Sequence, residues 1–228
     1  MSRNFLTPVV LPAGTASNAP LSLQSGTNLT SATAGAVEYD GKVIYSTPAG
    51  RGVSPSMMLY RLNSAVVGSN VTTAQSVFGV GVTLASSTVY SFEALYTLAK
   101  TTGSGTSVSI GFSFGGTATL NNILHCGTGV ATSTTSTTVP LQDNSPESYI
   151  SNTASNQTAI AAFANAATTI SYLIRGTVSV NSGGTFIPQY TQSAAPAGYG
   201  AFSTFAGSYF AIWPIGASGA NVSVGPWA

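Results

Sequence analysis

Ser171–Gly216, SYLIRGTVSVNSGGTFIPQYTQSAAPAGYGAFSTFAGSYFAIWPIG, decides the fold. In its first run Tyr172, Ile174, Val178 and Val180 share one parity, while Ser171, Arg175, Thr177 and Ser179 take the other. A period of two marks a strand with one buried face. Asn181-Ser182-Gly183-Gly184 then supplies glycines that accept positive φ, so the chain can reverse tightly. The return run, Thr185–Gln192, sets Phe186 and Tyr190 on one face and Ile187 on the other. Pro188 has no N–H to give a ladder, which assigns this run to a sheet edge or a bulge. After an Ala/Pro/Gly loop, Ser193–Ala206, Tyr209, Trp213 and Ile215 alternate with Phe210 and Ile212. Both faces of that last run are apolar, as in a strand held inside a core or between subunits.

The rest of the chain repeats this grammar. Val37–Tyr45 reads as a hairpin, VEY and KVIY around Asp40-Gly41. Thr47–Pro55 reads as a loop carrying Arg51, and Met57–Leu62 as a short apolar strand. Val77–Leu84 reads as a strand with Phe78, Val80, Val82 and Leu84 on one face and Gly79 and Gly81 on the other. Val89–Leu98 puts Tyr90, Phe92, Ala94, Tyr96 and Leu98 on one parity, and Val108–Phe114 does the same with Val108, Ile110, Phe112 and Phe114. With Lys100–Gly105 as their turn, these two are expected to pair as a hairpin and nucleate a sheet. Ala118–Cys126 gives a further strand, and the Thr/Ser tract Ala131–Val139 an edge or an exposed loop. Leu141–Ile150 reads as a loop with Asp143 and Glu147. Ala154–Thr169 is the one helical candidate, with Ile160 and Phe163 three apart. Short strands punctuated by turns predict an all-β fold. The expected form is an antiparallel, jelly-roll-like β-sandwich of about eight to ten strands over residues 36–228. Residues 1–35, rich in Thr, Ser, Ala and Pro, read as an extended N-terminal arm. Its apolar knot, Phe5, Leu6, Val9, Val10 and Leu11 around Pro8 and before Pro12, is the candidate anchor on a partner.

Charged residues make up 5% of the chain, against about 25% in ordinary soluble domains. So apolar and uncharged a surface is poorly protected against association, which points to a permanent assembly. A net charge of +1 from dispersed basic residues leaves no footprint for nucleic acid. No run of about 20 apolar residues is present to insert in a membrane. The first residues, MSRNFLTPVVLPAG, have too short an apolar segment for a secretion signal. Cys126 is the only cysteine, so no internal disulfide forms. Synthesis in a cytoplasm followed by assembly fits these features.

Chemistry has little to work with. The chain holds five carboxylates, one His and one Cys. A glycosidase needs two facing carboxylates roughly 5–10 Å apart, which Glu38 with Glu93, or Asp143 with Glu147, reach only through tertiary placement. His125 and Cys126 are neighbours on a strand and point to opposite faces, so they do not converge on a metal or form a nucleophile–base couple. FGVGVTL lacks the GxGxxG spacing of a nucleotide loop. The expectation is no enzyme, with no catalytic residue, cofactor or metal. Phe78, Phe92, Phe112 and Trp213 read as core from their alternation, while the doubly apolar final strand makes Tyr209 and Trp213, with Trp227, candidates for a subunit interface. Tyr199, Phe202 and Phe205, in the loop before it, are candidates for contact with a partner or glycan. Arg51, Arg61 and Arg175 are expected to pair with Glu38, Glu93 or Asp40.

The blocks GTVSVNSGGTFIPQY and GSYFAIWPIGA, with GAVEYDGKVIYSTPAGRG (Gly35–Gly52) and SVFGVGVTLASSTVYSFEALYTLAK (Ser76–Lys100), resemble structural proteins of tailed bacteriophages. LTPVVLPAG is similar to starts of phage appendage proteins. The resemblance implies a virion surface protein. The expected role is a capsid decoration or cement protein, homotrimeric, with the arm on the major capsid protein and the β-domain projecting outward. A tail-fibre or tail-tip subunit contacting the host surface is the alternative, with tail proteins as partners. A secreted carbohydrate-binding or adhesin module is a third reading, from another class. The arm passes directly into the hairpin at Val37, with no shaft repeat between, which favours decoration.

Overall fold

Alternating burial sets the architecture. The computed structural model describes residues 10–48, 50–54, 56–99, 108–133, 147–155, 157–163, 168–195, 201–219 and 221. Among them every regular element is a strand, and the sheets are antiparallel. The chain divides into two compact units, one containing the residues up to Ser54 and the other spanning Pro55–Ser223.

The first unit is a three-stranded sheet, β1 (Val37–Tyr39), β2 (Ile44–Ser46) and β3 (Gly52–Ser54). Asp40 shapes the β1–β2 turn by accepting from the Lys42 N–H (2.8 Å), the Val43 N–H (2.7 Å) and the Tyr45 hydroxyl (3.0 Å). Gly41 follows with φ 91°, a conformation glycine adopts without strain. Thr47–Pro55, expected to be a loop, contains β3, which pairs Tyr45 with Val53. Gly50 before it, Gly52 at its start and Pro55 just after it conceal so short a run in the sequence. The segment before β1 has no strand among its described residues and is mostly exposed, yet it is tied to the sheet. The Gly26 N–H donates to Tyr39 (2.9 Å), and the Gly35 N–H to Thr47 (2.6 Å). Arg51 grips both the Glu38 carboxylate (Nε–Oε2 3.0 Å) and the Leu29 carbonyl (2.6 Å). These bonds join the described part of that segment to β1–β3 within the first unit.

The second unit contains β4 (Met58–Arg61), β5 (Val66–Val67), β6 (Gln75–Ser76), β7 (Val82–Leu84), β8 (Thr88–Ala99), β9 (Val108–Gly115) and β10 (Thr119–Ser133). It continues with β11 (Glu147–Ser151), β12 (Gln157–Phe163), β13 (Thr168–Ser182), β14 (Gly184–Gln192), β15 (Ser203–Thr204) and β16 (Tyr209–Ala217). One sheet has eight strands, ordered β11-β10-β13-β8-β15-β5, with β16 lying between β8 and β4. The other has five, β12-β9-β14-β6 with β7 also on β14. β8 pairs β13, β9 pairs β12, and β10 pairs β11, so three consecutive strands meet the next three in reverse order.

Tyr90, Phe92, Ala94, Tyr96 and Leu98 of β8 and Tyr172, Ile174, Val178 and Val180 of β13 are all buried, on the parities that their sequences predict. Facing them from the second sheet are Ile110, Phe112, Phe114 and Phe186. The rings interlock: Phe114 stacks on Phe186 at 4.7 Å, Phe92 meets Phe114 edge-on at 5.1 Å, and Phe112 meets Tyr172 at 4.5 Å. Gly176 leaves room at the centre, since a Cβ there would lie 2.6 Å from the Phe92 ring and 2.5 Å from the Leu124 carbonyl.

Several local expectations are corrected. β8 and β9 are not a hairpin; they belong to opposite sheets, and their matched aromatic faces meet across the core. The turn at Ser182-Gly183-Gly184 likewise carries the chain from one sheet to the other, so β13 and β14 do not pair. Pro188 sits on β14 between the stretch that pairs β7 and the stretch that pairs β6, where the flanking ladder is interrupted. The helical candidate is β12 and the start of β13: Ile160 pairs Ile110 and Phe163 pairs Val108, with register shifts that break the alternation. Val77–Leu84 is strand only from Val82; Gly79 turns at φ 73°, leaving Phe78 buried and Val80 exposed. Part of the supposed loop Leu141–Ile150 is β11, while Asp143 lies outside the described residues.

Candidate functional site

The outer face of the eight-stranded sheet follows from strand register. Across its middle run Ile150, Cys126, Arg175, Glu93, Ala211 and Leu59, each opposite the next. One row along lie Leu173, Leu95, Tyr209 and Arg61; one row the other way, Leu124, Thr177, Ser91 and Trp213. Leu59, Leu124, Ile150 and Leu173 are exposed, and Leu95, Tyr209 and Trp213 half-buried. At the centre Arg175 Nε donates to Glu93 Oε2 at 2.8 Å, and the Tyr209 hydroxyl donates to Glu93 Oε1 at 2.7 Å. That bond to Glu93 is the main reason the Tyr209 phenol is pushed above its ordinary pKa. Solvent-exposed pairs of this kind contribute little stability. Here the pair's effect is to satisfy both charges within an apolar field.

A second surface opens at the end of that sheet. β4 is bonded on one side to β16, and among the described residues no strand pairs its other side. Met57 (55% exposed), Met58, Leu59 (55%) and Tyr60 (47%) stand at this edge. Beneath it is an apolar groove of about 200 Å³ lined by Met58, Tyr60, Phe78, Val80, Val82, Pro188, Phe210 and Ile212. Tyr60 closes edge-on over Phe78 at 5.9 Å.

The sequence-derived residues separate accordingly. Tyr209 and Trp213 share the outer face with the Glu93–Arg175 pair. Arg51 pairs with Glu38 and Arg175 with Glu93, as the scarcity of charge predicts, while Arg61 bonds Asn63 at 2.7 Å. Phe202 is corrected: it is 0% exposed, part of the core, and its carbonyl accepts from the Tyr190 hydroxyl at 3.4 Å. It therefore presents no ring to a partner or glycan, whereas Phe205 is exposed. Tyr199 and Trp227 lie outside the described residues, as do Phe5, Leu6 and Val9. Val10 (88%) and Leu11 (46%) are exposed. His125 and Cys126 do point to opposite faces: the thiol is exposed, and the imidazole is buried edge-on against Phe114 at 5.1 Å. Burial lowers the His125 pKa, against the opposing pull of its Nε2 contact with the Thr153 carbonyl (3.2 Å). Among the described residues no three His, Cys, Asp or Glu side chains gather as metal ligands. The groove at β4 was missed because exposure of Met57–Tyr60 depends on which strand lies beside them, and no local pattern states that.

Compared with protein-family models, curated proteins and solved structures, the chain matches none.

Proposed function

We propose that this chain is a non-enzymatic structural subunit of a tailed-phage particle, a capsid decoration protein with a jelly-roll domain. The observation that carries the reading is the outer face of the eight-stranded sheet, where Leu124, Ile150, Leu173, Tyr209 and Trp213 surround a single ion pair. A broad apolar face of that kind is a protein interface rather than a solvated surface. The jelly-roll reading is supported by the reversed pairing of β8, β9 and β10 with β13, β12 and β11, the pattern of one long hairpin rolled into two sheets. The homotrimer expected from composition would bury this face threefold, with Tyr209 and Trp213 at the contact. The exposed Val10 and Leu11 support an N-terminal anchor that continues through Phe5, Leu6 and Val9.

Stoichiometry tests this reading. Mass spectrometry of purified particles, quantified against the major capsid protein, should give a fixed simple ratio near one. A ratio of a few per cent would move the subunit to the tail, as a fibre or tip component, and absence from particles would overturn the virion reading.

A further inference from the structure

The open edge of β4 and the apolar N-terminal segment are complementary, and we propose that Thr7–Leu11 of one copy adds as a strand to β4 of a second copy. This names a surface that receives the arm. It is tested on the purified chain alone, so its failure and the failure of the virion reading are separate outcomes.

Backbone direction decides which edge of β4 is free. The Leu62 N–H donates to the Ser208 carbonyl at 2.9 Å, which turns Leu62 toward β16. Because the N–H and C=O groups of successive strand residues alternate between edges, Tyr60 and Met58 also turn toward β16. Leu59 and Arg61 then direct their N–H and C=O groups to the open edge. An unpaired edge carrying exposed Met57, Leu59 and Tyr60 is the kind of surface that extended segments augment.

The same alternation applied to the arm finds its two prolines in register with each other. Pro8 and Pro12 share a parity, so both missing N–H groups fall on one edge of an extended segment. The opposite edge has a full set of donors and acceptors from Thr7, Val9 and Leu11. A strand built this way pairs on one side only and ends the sheet on the other. Both of its faces are apolar, Phe5, Val9 and Leu11 against Leu6 and Val10, so an apolar side chain enters the groove whichever way the segment runs. Val10 and Leu11, exposed within their own chain, gain cover by this docking. A second copy is the donor because a surface with so few charges does little to keep copies apart.

The test uses sedimentation velocity on the full chain and variants whose thermal midpoints match the wild type. Val9→Pro removes an N–H that faces β4 and should weaken association at least tenfold. Val10→Pro removes one on the far edge and should leave it unchanged. Leu59→Pro removes an edge donor of β4 without touching a β16 bond and should weaken association as Val9→Pro does. Mixing Val9→Pro with Leu59→Pro unites one good edge with one good arm and should restore a single arm-to-edge contact between the two variants, but no longer series of such contacts. A wild type that stays monomeric, a Val9→Pro chain that associates normally, a Val10→Pro chain equally impaired, or a mixture that restores no contact between the two variants would each overturn the proposal.

Discussion

The neutral imidazole of His125 carries its proton on Nε2, since the Thr153 carbonyl it contacts at 3.2 Å can only accept. Burial against Phe114 holds its folded pKa below the ordinary value, so the unfolded chain binds a proton that the folded chain refuses. Stability is therefore intact above about pH 6.5 and falls as pH drops through that value toward the lower folded pKa, at up to about 1.4 kcal/mol per pH unit. The melting midpoint should decline between pH 7 and pH 5, and His125→Gln should flatten that slope by keeping a donor to Thr153 without a titrating ring. Glu38 and Asp40 do not confuse the measurement. The Leu29 N–H, with Arg51, holds Glu38 low, and the Val43 and Lys42 N–H groups outweigh burial to hold Asp40 low, so both titrate below that window.

Among elements, the β1–β2 hairpin shows how much a strand pair owes to one residue. Asp40 accepts three hydrogen bonds across the turn, and its loss leaves the Lys42 and Val43 N–H groups and the Tyr45 hydroxyl to find water. Tyr45 feels the same contact, since burial first and then Asp40 push its phenol up to about 12. Asp40→Ala should cost the first unit about 1–3 kcal/mol, read as faster hydrogen exchange at Val37–Ser46 with no change in the second unit. This hairpin was legible because Asp-Gly between alternating runs names its own partner. β8 and β13 were legible in part: alternation showed which side chains are buried but not which strand lies alongside. Hence β8 and β9 looked like a hairpin although they face each other across the core. In β12 the bulged register erased even the parity, leaving Ile160 and Phe163 at a spacing that suits a helix equally well.

For the molecule as a whole, the outer sheet face and the β4 edge are properties of assembled strand order, which is why the sequence could single out Tyr209 and Trp213 but not the strands that lie beside them. Cys126 offers a reporter, because its exposed thiol sits mid-row between Ile150 and Arg175. A maleimide should modify it readily in the isolated chain and much more slowly in purified particles, if that face is the covered one. Equal rates in both would place the particle contact elsewhere.

The pairing of β4 with β16 joins residues 58–61 to residues 209–212. In the order of synthesis, β4 leaves the ribosome long before the strand that holds it. Until β16 inserts between β8 and β4, no described strand fixes Met58–Arg61 in place, and the groove that Phe210 and Ile212 help to floor does not exist. Chains broken off before residue 209 cannot present that edge. On the docking proposed above, that edge is in effect a completion signal: only a finished copy would receive the arm of a neighbour, so incomplete products would be left out of the assembly without any separate proofreading step.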